Sequence, residues 1–491
     1  MIRREFCRNS ILWTAAAVGG GSLSTSAAKP SSDEKTTKGP AVTRYVSEFI
    51  VNTKFSDIPQ DIMELGKKSI LDGFGLALAG SVSEIAPLVR QYLKSLNCAD
   101  GKASIIGTKL KVPPRFAAFA NGVAIHSDDY DDTAMIAVNI VHATVPVLPP
   151  VFALCESGRR SGKELLTAFH VGVEAGCKIA ETISPRHFND GYHPTGTVGS
   201  LCSAAACAKL LGLNAKQTSY ALGVAAAEAG GLRDNFGSMT KPFQAGHAAE
   251  NGSVAADLAL LGWTSGEDIL EAPRGFFRAE GGGFDPAAIM NRLGNPWIFS
   301  SPGVLLKRFP CGTIQQPAMD EILRLVQQND IKASEVEKVD VGGDRIDVET
   351  LFHHRPTTAL EGKFSMEFCL SILLLERKAT LAQFNDATVQ RADVQEMIRR
   401  VNYFVSPDVE NKMGSNVLQI TMKDGRVFSD RGRLAKGSPE NPMSYEDVAE
   451  KLRGCAEFAK WPASKTASVI KLVRSLETLP DVGKLTEALT S

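Results

Sequence analysis

The chain has 491 residues, of which 44% are hydrophobic and 22% are charged, and its formal net charge is −1. This balance is ordinary for a globular protein, and the small net charge argues against a nucleic-acid partner or an electrostatic contact with a membrane surface. The nine cysteines include no CxxC pair and no His/Cys cluster with zinc or iron–sulfur spacing. We therefore expect reduced thiols, and the length allows two or three domains.

The N-terminus has the features of an export signal. Arg3 and Arg4 precede an uncharged stretch, residues 10–28, which is apolar at first and ends in small residues. This order resembles a twin-arginine signal peptide over residues 1–28, so a periplasmic location is expected, with a cytoplasmic one as the alternative. An uncleaved anchor is the other interpretation, but its glycines and serines make the stretch a poor membrane span. Residues 29–40 have the composition of a disordered linker.

Residues 41–302 are predicted to form a large helical domain. Apolar residues recur there with helical spacing, and Ser161 followed by Glu164 is a helix start signal. Helices of small residues let backbones approach closely and favour a compact bundle of buried helices. Three segments have this composition: 197–212, 218–231 and 245–260.

The sequence pattern changes after residue 302. Alternating residues at 337–341 and 417–422, the latter followed by an Asp424-Gly425 turn, predict strands among helix-like segments. We expect a smaller α+β lid domain over 303–434. A helical segment, 435–491, is expected to return and pack on the first domain, so the predicted fold is mainly α.

The stretch from His126 to Thr133 is the most unusual part of the chain, because it holds four aspartates within five residues. Burying a carboxylate costs roughly several kcal/mol unless a partner is present. The stretch is therefore either a solvated loop or helix cap, or a polar pocket supplied with cations. A cation site is a third interpretation, but the stretch lacks the spaced ligands and the glycine of a calcium loop, so no metal is expected.

Residues elsewhere in the chain could supply the positive charge. His193 and Lys241 each precede a proline at a predicted helix start, where a bound anion is favoured, and His142 lies at the start of an apolar segment. Each has an ordinary alternative, as a loop or core-edge histidine or as a surface lysine. Lys307 and Arg308 precede a turn, where they would contact a carboxylate across a domain cleft or belong to a solvated linker.

Together these side chains supply what an elimination next to a carboxylate requires. A base must remove a weakly acidic proton, cations must stabilise the charge that builds on the carboxylate, and an acid must assist a leaving hydroxyl. Nothing at these spacings requires a metal. A non-catalytic periplasmic protein that binds carboxylates is the alternative from another class.

Several long motifs stand out along the chain, among them AFANGVAIHSDDYDDT (118–133), VHATVPVLP (141–149), GYHPTGTVGSLCSAAACAKLLGL (191–213), GSMTKPFQAGHAAENG (237–252) and KRFPCG (307–312). In sequence and order they resemble the MmgE/PrpD family, which includes 2-methylcitrate dehydratase, cis-aconitate decarboxylase and iminodisuccinate epimerase. The resemblance covers roughly residues 41 to 475. It implies a large helical domain with a smaller α+β lid, a cleft between them, a homodimer and no cofactor.

The resemblance also implies site residues. The family's active-site aspartate, threonine, two histidines and lysine fall on Asp129, Thr133, His142, His193 and Lys241. On this basis His193 and Asp129 are the acid/base candidates. Lys241 with His142 would stabilise carboxylate or enolate charge, and Thr133 would hydrogen-bond the substrate.

Four further residues are assigned to substrate binding from these motifs: Tyr192, Ser238, Lys307 and Arg308. The implied activity is a cofactor-independent, dehydratase-type elimination on a small di- or tricarboxylic acid. Epimerisation and decarboxylation of a related acid are the alternatives.

This chain departs from the family's pattern at three positions. Relatives often have histidine where this chain has Gln244, and many have one where it has Gln316. Decarboxylase-like members carry a catalytic histidine where this chain has Gly312. These departures remove candidate proton donors and argue against decarboxylation.

Overall fold

The computed structural model describes residues 41–98, 100–136, 139–409, 414–432 and 434–491. The predicted signal peptide and linker, residues 1–40, lie outside the described residues. The fold is mainly α with a smaller α+β part, as the sequence predicts. In the described part of the chain, no helix combines the length and the apolar character needed to cross a membrane.

The α-helices run over α1 (Val42–Asn52), α2 (Gln60–Gly80), α3 (Ala86–Ser95), α4 (Pro114–His126), α5 (Leu148–Gly158), α6 (Gly162–Ile183), α7 (Arg186–Asn189), α8 (Pro194–Leu211), α9 (Ala215–Glu228), α10 (Thr240–Leu260), α11 (Phe276–Gly281), α12 (Gln316–Gln328), α13 (Arg345–Thr350), α14 (Ala359–Gly362), α15 (Met366–Glu376), α16 (Asp386–Val389), α17 (Ala392–Arg400), α18 (Tyr445–Phe458), α19 (Ala463–Arg474) and α20 (Gly483–Leu489). The strands are β1 (Ala103–Ser104), β2 (Lys111–Val112), β3 (Thr133–Ile136), β4 (Asn139–Val141), β5 (Val304–Leu305), β6 (Val336–Gly343), β7 (Val401–Val405), β8 (Asn416–Met422) and β9 (Val427–Gly432).

The helical part follows from its caps and its small residues. Ser161 caps α6, since its hydroxyl accepts from the Glu164 amide at 3.3 Å while the Glu164 carboxylate accepts from the Ser161 amide at 2.8 Å. The predicted close approach of small-residue helices is confirmed between α8 and α10. A Cβ built on Gly252 would lie 2.2 Å from Ser203 Oγ, so a larger residue there would force the two helices apart.

The strands form three sheets. The largest has the order β7-β6-β8-β9, in which β6 and β7 are parallel and the other pairs antiparallel. β1 pairs with β2, and a small sheet of order β4-β3-β5 joins two strands of the region predicted to be helical to β5, at the start of the segment predicted to be the lid. The small sheet positions the candidate site, because β3 follows the acidic stretch and β4 ends immediately before His142.

Two clusters of buried apolar side chains organise the fold. One is formed largely by the helices before residue 306 and those after residue 443, and the other mainly by residues 309–422. The returning segment packs tightly, since a Cβ on Gly75 of α2 would lie 3.1 Å from Leu452 Cα of α18. The domain boundaries at 302 and 434, and the homodimer, stay predictions.

The returning helix α18 also braces the acidic stretch. Lys451 Nζ donates to the carbonyl of Tyr130 at 2.7 Å and pairs with the buried carboxylate of Asp72 at 2.8 Å. Its ammonium group lies 3.7 Å from the centre of the Tyr130 ring, close enough for a cation–π contact. A residue from the last part of the chain therefore fixes the backbone of the acidic stretch.

Candidate active site

The acidic stretch lies between α4 and β3 and is almost completely buried. Asp129, Asp131 and Asp132 are 3%, 1% and 1% exposed, which excludes the solvated-loop interpretation. Asp129 has a left-handed backbone with φ of 47°, a conformation that costs energy outside glycine and that is frequent at functional sites. The stretch is a buried polar cluster, and it needs positive partners.

Two lysines hold Asp129. Lys241 Nζ and Lys307 Nζ each donate to Asp129 Oδ1 at 2.9 Å, and Lys307 also donates to the Asp129 carbonyl at 2.8 Å. Burial alone would raise the pKa of Asp129, but the two ammonium groups hold it well below the ordinary value of 3.8. Asp129 is therefore ionised. Its second oxygen, Oδ2, is buried and has no hydrogen-bond partner among the described residues.

Asp131 lies between two imidazole rings. It accepts from His126 Nδ1 at 2.9 Å, and the same carboxylate lies 3.1 Å from His142 Nδ1. Burial would raise the pKa of Asp131, but the two imidazoles hold it well below 3.8. His126 Nε2 lies 2.8 Å from Lys241 Nζ. A continuous chain of contacts thus runs from Asp131 through His126 to Lys241.

His193 is held in place by Gln244. Its Nδ1 lies 2.6 Å from Gln244 Oε1, and Gln244 Nε2 donates to the carbonyl of Leu232 at 3.2 Å. Burial lowers the pKa of His193 well below 6.5, and the neighbouring Lys241 lowers it further. The ring is therefore neutral, and its Nε2 is buried without a hydrogen-bond partner in the described part of the chain.

These groups line one cavity. Its polar side chains are those of Asp129, His142, His193 and Lys241. The rest of the lining is apolar, apart from one glycine and two threonines. These remaining residues are Ile140, Phe188, Phe236, Ile314, Leu351, Phe364, Gly312, Thr313 and Thr350. An ammonium group and two neutral imidazoles among apolar side chains suit a small anion with an apolar part.

Two of the predicted substrate-binding residues lie immediately behind the cavity wall. Thr133 Oγ1 lies 2.8 Å from the hydroxyl of Thr313, which lines the cavity. Lys307 contacts the carboxylate of Asp129 and is completely buried. Both residues support lining groups, although neither lines the cavity itself.

Three other predicted residues are not brought to the cavity. The Tyr192 ring stacks on His187 with centroids 4.6 Å apart, and the hydroxyl of Ser238 donates to a carbonyl of its own turn at 2.8 Å. Arg308 does not line the cavity; its side chain pairs with Asp320 at 2.6 Å in a separate open groove. Their side chains are already engaged elsewhere.

The other two departures from the family pattern, Gln316 and Gly312, differ in their position relative to the cavity. Gln316 accepts from the amides of Arg308 and Phe309, each at 3.1 Å, and donates to the Phe309 carbonyl at 3.0 Å, so it braces the turn. Gly312 lines the cavity, and a Cβ there would lie 2.3 Å from Gln315 Oε1. A larger residue at this position would have to displace that side chain.

The donor set of the cluster favours ion pairing over a metal. Four groups offer ligand atoms within 4.8 Å of one another: His126, Asp129, Asp131 and His142. Asp129 Oδ1 already accepts from two ammonium groups, and the Nδ1 atoms of both imidazoles face Asp131. A cation at this place would lie against lysines and N–H groups, so the acidic charge is met by the protein itself.

Sequence reasoning assigned no role to His126 or Asp131. Both belong to the acidic motif, which was the only available signal. The order of residues in the motif does not show that Asp129 pairs with lysines and Asp131 with an imidazole.

Comparison with known proteins places the chain in a family. The MmgE/PrpD N-terminal domain matches residues 44–288, and the MmgE/PrpD C-terminal domain matches residues 309–477. Cis-aconitate decarboxylase from Homo sapiens is 31% identical over 466 residues, covering 91% of this chain and 94% of the relative. The enzyme of the same name from Mus musculus is 30% identical, covering 91% and 93%, and that from Aspergillus terreus is 29% identical, covering 94% and 98%. The chain belongs to the MmgE/PrpD family.

Proposed function

We propose that the protein is a cofactor-independent lyase that acts on a small di- or tricarboxylic acid. One observation carries this proposal: a buried ammonium group, Lys241, and two neutral imidazoles, His142 and His193, line the same cavity. The positive charge of the ammonium group would attract a substrate carboxylate, and the unpartnered His193 Nε2 would accept a proton from the adjacent carbon.

Two reactions fit this description. Loss of CO2 from an unsaturated tricarboxylic acid is supported by the relatives, which are named cis-aconitate decarboxylases. Loss of water, as in a 2-methylcitrate dehydratase, is supported by Gly312, which lines the cavity where decarboxylase-like members carry a histidine. Both reactions need a carboxylate anchor and a proton donor, and epimerisation would need a base as well.

The test is a proton NMR assay in D2O with the chain from residue 29 onward. Cis-aconitate, 2-methylcitrate, citrate and an aminosuccinate-type acid would be incubated separately, with CO2 release followed in parallel. A new product signal, or deuterium at a carbon next to a carboxylate, is expected with at least one acid. If every acid stays unchanged while some raise the melting temperature, the protein binds carboxylates without catalysis and the proposal fails.

We also propose that the protein is exported to the periplasm through the signal predicted at residues 1–28. The Arg3-Arg4 pair supports this proposal. Cell fractionation of a bacterium that expresses the full chain should place the protein in the periplasm, shortened near residue 28. Changing both arginines to lysine should keep the protein inside the cell, and unchanged fractionation would contradict the proposal.

A further inference from the structure

One of the two imidazoles beside Asp131 has a defined tautomer. An ionised carboxylate only accepts hydrogen bonds, so His126 Nδ1, which hydrogen-bonds Asp131, carries a proton. His142 Nδ1 lies 3.1 Å from the same carboxylate without a hydrogen bond. His126 Nε2 faces the Lys241 ammonium at 2.8 Å. Because an ammonium group only donates, this nitrogen has a lone pair. Burial lowers the pKa of His142 to about 3, so this imidazole is neutral, and the N–H of a neutral imidazole is a far weaker acid than an ammonium group.

The same reasoning assigns the tautomer of His193. The carbonyl of Leu232 only accepts, so the atom of Gln244 that faces it at 3.2 Å is the amide nitrogen. The amide oxygen of Gln244 therefore faces His193 Nδ1 at 2.6 Å, and that nitrogen carries the proton. The Nε2 of His193 is left with a lone pair that no described residue contacts.

The cavity histidines are consequently neutral, so neither offers the acidic N–H of an imidazolium, and the ionised Asp129 has no proton to give. Among the described residues that line the cavity, the remaining side-chain N–H and O–H groups belong to Thr313, Thr350 and Lys241. A threonine hydroxyl is a far weaker acid than an ammonium group, whose pKa is about 10.4 in water. Burial lowers the pKa of Lys241, which makes it a better proton donor still.

One proton of Lys241 remains for a substrate. Two of its three N–H groups point to His126 Nε2 and Asp129 Oδ1. Its Nζ lies 5.3 Å from the ring centres of both Phe236 and Phe364, which line the cavity. The charged and titratable groups around it are Asp129, His126, Asp131, Lys307, His142 and His193.

We propose that Lys241 is the proton donor of the reaction and that Asp131 and His126 are positioning residues for its ammonium group. The inference rests on the proposed lyase function and deepens it. In a loss of CO2, the C–C bond breaks, its electron pair stays on the substrate carbon, and the protonation of this carbanion takes the proton from Lys241 Nζ. The CO2 departs, and the amine regains a proton from solvent.

In a loss of water, His193 Nε2 takes the carbon-bound proton and the C–O bond breaks with its electron pair on oxygen. That oxygen takes the proton from Lys241 Nζ and leaves as water. His193 then gives its proton to solvent, and Lys241 regains one from solvent. In both reactions His142 stays neutral.

The decisive variant is Lys241→Arg, because a guanidinium keeps the charge but does not release a proton near neutral pH. Turnover should fall by about 100-fold or more, while the substrate still raises the melting temperature of the variant. Lys178→Arg is the matched control, since Lys178 is also completely buried but does not line the cavity, and it should keep its turnover. Retention of turnover by Lys241→Arg within threefold of wild type would overturn the inference.

A second experiment separates proton donation from charge. Lys241→Ala should be partly reactivated by ethylamine, which can donate a proton, and not by tetramethylammonium, which carries only the charge. Equal reactivation by both ions, or none by any primary amine in a folded variant, would overturn the inference. Failure of the lyase proposal itself would look different, because the wild-type chain would then turn over none of the acids.

Discussion

Gln244 Oε1 lies 2.6 Å from His193 Nδ1 and directs the other ring nitrogen toward the cavity. An amide is neutral, so it fixes the tautomer without stabilising a positive charge on the ring as a carboxylate would. The imidazole can accept a proton but holds it weakly. That property suits a group that must return the proton in every cycle.

Replacing Gln244 with glutamate should make His193 hold its proton more strongly. The carboxylate of Gln244→Glu would raise the pKa of His193, so the ring would become protonated at a higher pH and the acidic limb of the pH profile of kcat would move upward. Gln244→Met should reduce kcat at every pH, because the tautomer would no longer be fixed. Gln327→Glu, at an exposed position, is the control. An unmoved acidic limb in Gln244→Glu would show that His193 does not carry the proton.

Asp131→Asn should weaken both stability and catalysis. His126 Nδ1 lies 3.0 and 2.9 Å from the two oxygens of Asp131, so in asparagine, whichever way the amide is turned, its NH2 group would face this N–H. We expect the free energy of unfolding to fall by about 3 kcal/mol. The negative charge of Asp131 supports the pKa of Lys241, so the basic limb of the kcat profile should move to lower pH.

The comparison for this variant is Asp128→Asn. Asp128 pairs with Lys363 at 3.0 Å instead of with the histidines, so its loss should leave the basic limb in place. Identical pH profiles for Asp131→Asn and wild type would argue against a positioning role for Asp131.

Asp132 should make the fold less stable as the pH rises. It is 1% exposed and accepts from the amide and the hydroxyl of Thr144 at 3.1 and 2.6 Å. Burial raises its pKa from 3.8 to about 7, so its stabilising contribution is complete below about pH 4 and is lost as the pH rises toward 7. At about 1.4 kcal/mol per pKa unit, the loss is about 4 kcal/mol at most.

Chemical denaturation of wild type and Asp132→Asn between pH 4 and pH 8 measures this contribution. The asparagine side chain can still accept from the Thr144 amide, so the variant should fold. Its unfolding free energy should decline less with rising pH than that of wild type. Neutral His142, whose pKa is lowered to about 3, has the opposite dependence and cancels in the difference. Parallel curves would mean that Asp132 titrates normally.

Gly312→His should favour loss of CO2 over loss of water. The new imidazole would stand at a position that lines the same cavity as His193, at the cost of displacing Gln315, whose oxygen lies 2.3 Å from the added Cβ. We expect about 1–3 kcal/mol lower stability from this crowding, and a higher ratio of CO2 released to acid consumed. Gly312→Ala introduces the same crowding without the imidazole and should leave the ratio unchanged.

Local signals in the sequence predicted elements that depend on near neighbours. The cap of Ser161 and Glu164 is present in the structure, and a strand forms over the segment 337–341, although its burial alternates only from Val339 to Val341. The sheet of β3, β4 and β5 was not predicted, because its strands have four, three and two residues. Such strands are too short for an alternating pattern, and β3 pairs with residues 304–305, far along the chain.

At the site, the sequence motifs predicted which residues take part but not which residues they contact. Lys307 and Arg308 are adjacent in sequence and were given the same role. The backbone turns between them, so Lys307 is completely buried against Asp129 and Arg308 is 44% exposed in its side chain. Side-chain direction at a turn is set by tertiary packing, which the sequence of the turn does not contain.

The contact of Lys451 with Tyr130 has a consequence for how the protein is made. The turn that carries Asp129 is braced by a helix encoded near the end of the chain, so the ribosome has made nearly all of the polypeptide before this brace can form. A chain released before α18 is made would lack the brace, and the backbone of the acidic stretch would lose this support.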